Sequence, residues 1–308
     1  MSKRILITGG TGMLAVNCAL QLRHSRQIVL ALHTRKLSLP GVQALPLALD
    51  TAPAALAAIS TVRPDYVIHT AALTSVEQCE ADSTLVQQVN VDLAANVAAA
   101  CAQLNIGLVH ISTDHLFDGS QPMVDEATPL SPMNRYGQSK AQAEHAVLEL
   151  HPASLVIRTN FYGFGPPWRP SFSDTILNGL RAGCELRLFT DVYYSPLLLQ
   201  DLIQAMLELM EGGHRGIFNV VGDQRLSKHE FGLLLAGAFG LDPSPIRPVQ
   251  IAELTHLVQR PIDMSLSNAK LVRTLSRVIG DVRSQLLRLK QLETSGYKAE
   301  VDGLRLHG

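Results

Sequence analysis

Tyr136 and Lys140 are the two residues of this chain whose types and spacing best suit proton transfer. They lie four residues apart at the start of a predicted helix, for which Asn134 is the expected N-cap. A phenol has a reference pKa of about 10, and a neighbouring ammonium favours the phenolate. We therefore expect Lys140 to make Tyr136 a better proton donor to a carbonyl oxygen. A surface tyrosine beside a solvated lysine would show the same spacing. Only the surrounding elements can distinguish an active pair from such a surface pair.

A glycine-rich segment lies near the start of the chain, between an apolar run at residues 5–7 and a helical stretch to about Arg23. A strand, a glycine loop and a helix in this order predict a dinucleotide-binding site. Glycine lets the backbone turn tightly and approach a pyrophosphate, which the helix N-terminus stabilises. A glycine turn that merely starts a helix is the alternative. The expected cofactor contacts are Gly9, Gly12, Met13 and Leu14.

A basic turn, His33-Thr34-Arg35-Lys36, follows the second predicted strand at residues 28–32. An NAD-specific fold normally places an acidic residue here to hold the ribose 2′-hydroxyl. This turn instead offers an imidazole, a guanidinium and an ammonium, which suit a 2′-phosphate. It therefore predicts NADP(H) rather than NAD(H), with contacts from His33, Arg35 and Lys36. A solvated basic turn would have the same composition.

The next two predicted strands also lead to candidate cofactor contacts. Residues 44–49 end at an aspartate suited to the adenine edge, and residues 66–70 close on two alanines that let a cofactor lie against the backbone. A long, alanine-rich helix is predicted over residues 83–104. The candidate contacts in this part of the chain are Asp50, Ala71, Ala72 and Asn90.

Two further predicted strands, at residues 108–111 and 154–157, lead to Thr113 and Asn160. Strands that alternate with helices at this spacing predict a Rossmann-type α/β fold with a parallel, doubly wound sheet. Ligands bind outside the carboxyl ends of the strands in such sheets. The candidates that follow successive strands should therefore gather at one edge, and this favours Tyr136 and Lys140 as an active pair.

The second half mixes helices with short strands. The predicted helices are 173–182, 198–211, 228–239 and 281–292, and the predicted strands are 186–189 and 217–221. We expect an NAD(P)-binding domain at residues 1–165 and a smaller mixed α/β substrate-binding region at residues 166–308, partly interwoven with the first. A loop at residues 163–170 contains Trp168, the only tryptophan. A mobile lid and a plain connector are equally compatible with its glycines and prolines.

Composition and charge exclude several classes of protein. A net charge of -1 gives no electrostatic reason to expect nucleic acid or an anionic membrane as a partner. The four cysteines are scattered, which fits reduced thiols rather than disulfides or a zinc site, and no other metal site is predicted. The apolar run at the N-terminus is too short for a signal peptide, and no apolar stretch is long enough to span a bilayer. We therefore expect a soluble, cytoplasmic protein.

Taken in order, these motifs resemble the extended short-chain dehydrogenase/reductase family over nearly the whole chain. The likeness is closest to its dTDP-4-dehydrorhamnose reductase branch. The matching segments are the glycine loop, His69-Thr70-Ala71-Ala72, Ser112 to Gly119, Tyr136 to Lys140, Arg158-Thr159-Asn160, Arg260-Pro261 and Leu266-Ser267-Asn268. The ordered set is far more specific than any single motif.

The resemblance implies a role for each matching site residue. Thr113 would hydrogen-bond the substrate carbonyl, Tyr136 would donate the proton, and Lys140 would bind the nicotinamide ribose and tune the tyrosine. The nicotinamide would perform the hydride chemistry. Asn160 and Arg260 would hold the pyrophosphate of a nucleotide-sugar substrate, although a loop-capping asparagine and a surface salt bridge are the alternatives.

Three activities are compatible with the resemblance: reduction of a 4-keto nucleotide sugar, epimerisation or dehydration of a similar substrate, and a non-catalytic cofactor-binding role. The last occurs in the regulatory subunit of methionine adenosyltransferase, which this branch also resembles. Asn160 is more typical of epimerases and dehydratases, whereas Asp114-His115 lacks the glutamate of the dehydratase Asp-Glu pair. We favour the reductase. The resemblance also implies a homodimer through the helices at 83–104 and 134–150, and it does not extend beyond about Ile279.

Overall fold

Strands and helices alternate through most of the chain, for which a computed structural model describes residues 2–254 and 258–307. The strands are β1 (Arg4–Thr8), β2 (Gln27–Leu32), β3 (Lys36–Leu37), β4 (Gln43–Pro46), β5 (Tyr66–His69), β6 (Gly107–Ile111), β7 (Leu155–Arg158), β8 (Phe161–Tyr162), β9 (Leu186–Phe189), β10 (Tyr193–Tyr194), β11 (Leu197–Leu198), β12 (Gly216–Asn219), β13 (Leu226–Ser227), β14 (Ile246–Val249), β15 (Asp263–Met264) and β16 (Leu306–His307). The α-helices are α1 (Met13–Leu22), α2 (Ala52–Val62), α3 (Val76–Ala81), α4 (Ser83–Val86), α5 (Leu93–Leu104), α6 (Arg135–Leu150), α7 (Phe172–Ala182), α8 (Leu199–Glu211), α9 (Lys228–Phe239), α10 (Ala269–Leu275), α11 (Val282–Thr294) and α12 (Tyr297–Gly303).

The central sheet has the strand order β12-β7-β6-β5-β1-β2-β4, and each neighbouring pair is parallel. The chain moves outward from β1 in both directions, so the strand order reverses beside β1, where open α/β sheets bind their ligands. The predicted Rossmann-type sheet is confirmed.

The third predicted strand is shorter than expected, because β4 ends at Pro46 rather than at residue 49. Pro46 has no N–H to donate, and β4 is the edge strand.

The predicted helix at residues 83–104 is wrong as a single element. α4 is followed by a π-helical segment, Gln87–Asp92, before α5 begins. A π-helix inserts an extra residue into a turn and frequently occurs at functional sites. Here the wide turn carries Asn90, whose side chain is bonded to the backbone of Leu73. Helical periodicity in the sequence does not indicate this interruption.

Buried apolar residues cover both faces of the sheet because successive strand residues point to opposite faces. Ile5 and Ile7 pack in one cluster with residues of α1 and α8, whereas Leu6 packs in another with residues of α2, α5 and α6. These clusters hold the strand ends at fixed positions beneath the loops that follow them.

The second half of the chain contributes to the same sheet. β12 pairs with β7, and α8 packs against α1, so residues beyond 165 complete the nucleotide-binding half. Smaller sheets pair β10 with β13 and β15, β8 with β11, and β9 with β14. The division at residue 165 stays a prediction. Among the described helices, none is both long and apolar enough to cross a membrane.

Candidate active site

A cleft of about 1130 Å³ lies at the carboxyl ends of the central strands. It brings together twelve of the sequence-predicted site residues. They are Gly9, Gly12, Met13, Leu14, His33, Asp50, Ala71, Ala72, Thr113, Tyr136, Lys140 and Asn160. The fold therefore brings these residues together at one edge of the sheet, as the parallel strands predict.

The glycine loop forms part of the cleft wall. Gly9 has φ +66°, and a Cβ at this position would lie 2.9 Å from the backbone of Ala71. Gly12 is the N-cap of α1, and no side chain among the described residues caps this helix. The N–H groups of the first turn of α1 therefore have no side-chain acceptor, and they carry the positive end of the helix dipole. This end of the cleft fits a dinucleotide pyrophosphate.

The basic turn is only partly inside the cleft. His33 lines it, whereas Arg35 and Lys36 are exposed beyond its wall. Lys36 begins β3, and Arg35 makes no hydrogen bond or ion pair with the rest of the described chain. The guanidinium of Arg35 therefore has no competing anion among the described residues.

Asn90 lies behind the cleft rather than in it. Its Oδ1 accepts from Leu73 N at 2.7 Å, and its Nδ2 donates to Leu73 O and to Ser139 Oγ at 3.0 and 2.9 Å. These bonds use the polar atoms of the amide, which is almost fully buried. Asn90 thus connects the loop after β5 to α6, and its proposed contact with the cofactor stays a prediction.

Tyr136 lies in the first turn of α6, whose N-cap is Asn134 as the sequence predicts. The Asn134 side chain accepts from Gly137 N at 2.9 Å. The expected lowering of the phenol pKa is wrong for this structure. Burial raises the pKa of Tyr136 to about 12, although a side-chain hydrogen bond with Thr113 opposes the rise. Desolvation is the largest cause because the phenolate would lose its hydration, and the carboxylate of Asp114 adds to the rise in pKa.

Lys140 is buried one turn along α6. Its Nζ donates to Ile111 O at 2.8 Å and lies 3.3 Å from Nε2 of His110. Burial lowers the pKa of Lys140 to about 8, and the carboxylate of Glu144 opposes this effect. Sequence reasoning missed His110. The sequence feature that could have identified His110 is its position as a polar residue within an otherwise apolar, buried strand, β6.

Beyond Lys140, the cleft contains a carboxylate network centred on Asp114. Thr113 Oγ1 donates to Asp114 Oδ1 at 3.2 Å, and Asn160 Nδ2 donates to Oδ2 at 2.6 Å. His115 Nε2 lies 3.9 Å from Oδ1, and burial lowers the pKa of this imidazole. Asn160 thus lies in the cleft, where it also fixes the carboxylate beside Thr113.

Arg260 is not in the cleft lining. Its guanidinium forms an ion pair with Glu77, and its Nε donates to Val258 O. The positive charge of Arg260 nevertheless helps to lower the pKa of His115, which does line the cleft. The side chain is thus close enough to act on this site, and its substrate role stays a prediction.

The loop at residues 163–170 lies against the glycine loop. Trp168 Nε1 donates to Thr11 O at 2.9 Å, and Arg169 Nη2 donates to Thr74 Oγ1 at 2.5 Å. Arg169 also lines the cleft, a position that sequence reasoning missed. The loop therefore forms one wall of the site.

Comparison with known proteins connects this geometry to a family. A sequence model described as RmlD substrate binding domain matches residues 3–293. The chain is 29% identical over 274 residues to dTDP-4-dehydrorhamnose reductase of Mycobacterium tuberculosis, across 87% of this chain and 86% of that protein. It is 31% identical over 202 residues to a probable low-salt glycan biosynthesis reductase of Haloferax volcanii, across 64% and 67%. Among solved structures, dTDP-4-dehydrorhamnose reductase of Bacillus anthracis in complex with NADP has a TM-score of 0.83 at 25% identity, across 94% of this chain and 99% of that one.

Proposed function

The chain belongs to the RmlD substrate binding domain family, and from this premise we propose that it catalyses the NADPH-dependent reduction of a 4-keto nucleotide sugar. The observation that carries the proposal is the grouping of Thr113, Tyr136 and Lys140 in one cleft with an uncapped helix N-terminus. A proton donor and a dinucleotide site are the two requirements of carbonyl reduction. The resemblance to the dTDP-4-dehydrorhamnose reductase branch is confirmed.

Three protein side chains have separate roles in the proposed reduction. The nicotinamide, when bound, supplies the hydride. Thr113, whose hydroxyl proton is donated to Asp114 Oδ1 in the free protein, would turn it to the carbonyl oxygen and hold that oxygen near the phenol of Tyr136, which gives the proton. Because burial raises the pKa of Tyr136 to about 12, the phenol is fully protonated at neutral pH. Lys140, fixed by Ile111 O, would hold the nicotinamide ribose with its ammonium.

The Asp114–His115 pair favours reduction over dehydration. Dehydration requires an additional acid and base, and this chain has histidine where the dehydratase relatives have glutamate. That imidazole is buried beside Tyr136, with ring centroids 5.4 Å apart, and its pKa is lowered by burial. The lowered pKa makes this imidazole harder to protonate and poorly suited to act as a second acid.

The proposal is tested by supplying 4-keto nucleotide sugars with NADPH that carries deuterium at the transferred position. We expect stoichiometric loss of NADPH and a 4-hydroxy product with deuterium at that carbon. Product without net loss of NADPH would indicate an epimerase or a dehydratase. Tight cofactor binding without turnover on any such sugar would instead indicate a non-catalytic subunit.

Arg35→Ala should weaken NADPH binding by about 1.5–3 kcal/mol, the value of a charge-assisted hydrogen bond, and leave NADH binding nearly unchanged. The reason is that only NADPH carries the 2′-phosphate. Calorimetric titration of both cofactors measures the effect. Arg187→Ala, an exposed arginine on β9, is the matched control and should change neither affinity. Equal or tighter binding of NADH by the unmodified protein would contradict the assignment to NADP(H).

Asn160 and Arg260 are proposed to hold the substrate pyrophosphate, so Asn160→Ala and Arg260→Ala should each raise KM for the nucleotide sugar. Cofactor affinity should stay nearly constant. Steady-state kinetics measure both quantities. Glu77→Ala separates this role from the surface ion pair, because it leaves the Arg260 guanidinium free. If Glu77→Ala raises KM as much as Arg260→Ala does, the arginine acts only through its ion pair.

Turnover should fall as pH rises through about 8. The pKa of Lys140 is lowered to about 8, so its ammonium is present below that pH and lost above it. The profile of kcat/KM for NADPH reports groups of the free enzyme and is the measurement. Lys140→Arg should be less active but should lack this alkaline limb, since arginine stays charged. An unchanged limb in that variant would assign it to another group.

The helices α5 and α6 pack against each other on one face of the sheet. These are the elements through which the resemblance implies a homodimer. We propose this homodimer and a cytoplasmic location as the setting of the enzyme.

A further inference from the structure

The last residues of the chain lie outside the family match, which ends at residue 293. The C-terminal segment, defined here as residues 297–307, contains α12 and β16. It does not extend away from the protein. It returns to the nucleotide-binding half and ends beside the basic turn.

β16 pairs with β3 in an antiparallel arrangement, with Leu306 opposite Leu37 and His307 opposite Lys36. β3 begins at Lys36, directly after Arg35. Among the described residues, β16 is the only strand that pairs with β3. A two-residue strand is not stable without such pairing. The end of the basic turn is therefore held by the C-terminal segment.

Two contacts fix the C-terminal segment to the first helix of the nucleotide-binding half and its C-cap, and a buried side chain anchors the segment in the core. Tyr297 Oη donates to Asn17 Oδ1 at 2.6 Å, and Glu300 forms an ion pair with Arg23. Val301 is fully buried in the main core cluster. α12 is thus docked before the chain reaches β16, and the position of β16 is set by α1.

Asn17, which accepts the hydrogen bond from Tyr297, also bonds to residues beside the proposed cofactor site. Asn17 Nδ2 donates to Met13 O at 2.8 Å and to Phe164 O at 3.0 Å. Met13 is the first residue of α1, and Phe164 belongs to the loop that carries Trp168. The C-terminal segment therefore contacts both the helix beside the pyrophosphate site and, through β3, the turn proposed to hold the 2′-phosphate.

We propose that the C-terminal segment positions the basic turn for recognition of the 2′-phosphate, so that Leu306 and Tyr297 are positioning residues for selectivity between NADPH and NADH. This inference rests on the proposed preference for NADP(H). The physical reason is that Arg35 is exposed and unpaired within the described chain, so only the backbone on either side of it limits where its guanidinium lies. β2 holds one side, and the pairing of β3 with β16 holds the other.

The test compares cofactor affinities of full-length variants by calorimetry. Leu306→Asp places a charge in the β3–β16 pair and should weaken NADPH binding by about tenfold, equivalent to one charge-assisted hydrogen bond, with NADH binding unchanged. Tyr297→Phe removes one anchor without a change of shape and should lower the same selectivity to a smaller extent. Leu287→Asp, an exposed leucine on α11, is the matched control and should leave both affinities unchanged.

A double variant separates positioning from general destabilisation. If the segment acts through Arg35, adding Leu306→Asp to Arg35→Ala should cause no further loss of NADPH affinity, because the contact is already absent. Equal weakening of NADPH and NADH would overturn the inference, as would unchanged affinities in both Leu306→Asp and Tyr297→Phe. If the unmodified protein does not prefer NADPH, the proposed cofactor is wrong. If it prefers NADPH and Arg35→Ala removes that preference, unchanged selectivity in Leu306→Asp and Tyr297→Phe refutes only the role of the C-terminal segment.

Discussion

Tyr136→Phe is expected to lower kcat by about 10²–10⁴-fold, the usual contribution of general acid catalysis. The substitution removes only the hydroxyl, so the hydride donor and the carbonyl would still meet in the cleft without a proton source. Single-turnover measurement of NADPH oxidation separates this loss from substrate binding. The affinity for NADPH should change little, because the ring and its packing remain.

Tyr66→Phe is the matched control for this variant. Tyr66 begins β5, at the end of the strand away from the cleft, and the same hydroxyl is removed there. Its kcat should equal that of the unmodified enzyme. Activity of Tyr136→Phe close to that of the control would dismiss the phenol as the proton donor.

Glu144→Ala should lower the free energy of unfolding by about 3–5 kcal/mol, because it leaves a buried charge without its partner. Glu144 accepts from Arg158 Nε at 3.0 Å and from Nη2 at 2.7 Å, and both side chains are at most 3% exposed. The shift of the urea unfolding midpoint measures the change. The variant should also move the alkaline limb of activity to lower pH, since the Glu144 carboxylate raises the pKa of Lys140.

An exposed ion pair provides the comparison for this effect. Glu211 pairs with Arg26 at 2.6 Å, and the two side chains are 39% and 28% exposed. Glu211→Ala should therefore change the free energy of unfolding by no more than about 1 kcal/mol. A Glu144→Ala effect of the same small size would mean that solvent or a rearranged side chain compensates the Arg158 charge.

Local sequence order was enough to predict most of the cleft. A strand followed by glycines and a helix predicts the pyrophosphate end, and Asn134 before an apolar helical face predicts the start of α6. Parallel strands then bring their carboxyl ends to one edge, so Thr113 and Asn160 could be assigned to the same site before any distance was known. Each of these inferences uses residues that lie close together in the sequence.

The features that were not predicted depend on residues far apart in the sequence. The π-helical turn around Asn90 follows from bonds to Leu73 and Ser139, which periodicity cannot reveal. The raised pKa of Tyr136 reflects burial, which is known only once the surrounding elements are placed. A surface salt bridge was the alternative prediction for Arg260, but its partner, Glu77, lies 183 residues away in the sequence and could not be named.

The late return of β12 to the sheet has a consequence for synthesis of the protein. β7 gains its outer neighbour only when Asn219 has been made, 61 residues after Arg158. At about 5–20 residues per second, the ribosome needs roughly 3–12 s to add them. During that interval the nascent sheet presents β7 as an open, apolar edge, which is the kind of strand that pairs with other chains. A chaperone that covers nascent chains would therefore be needed most while residues 159–219 are being translated.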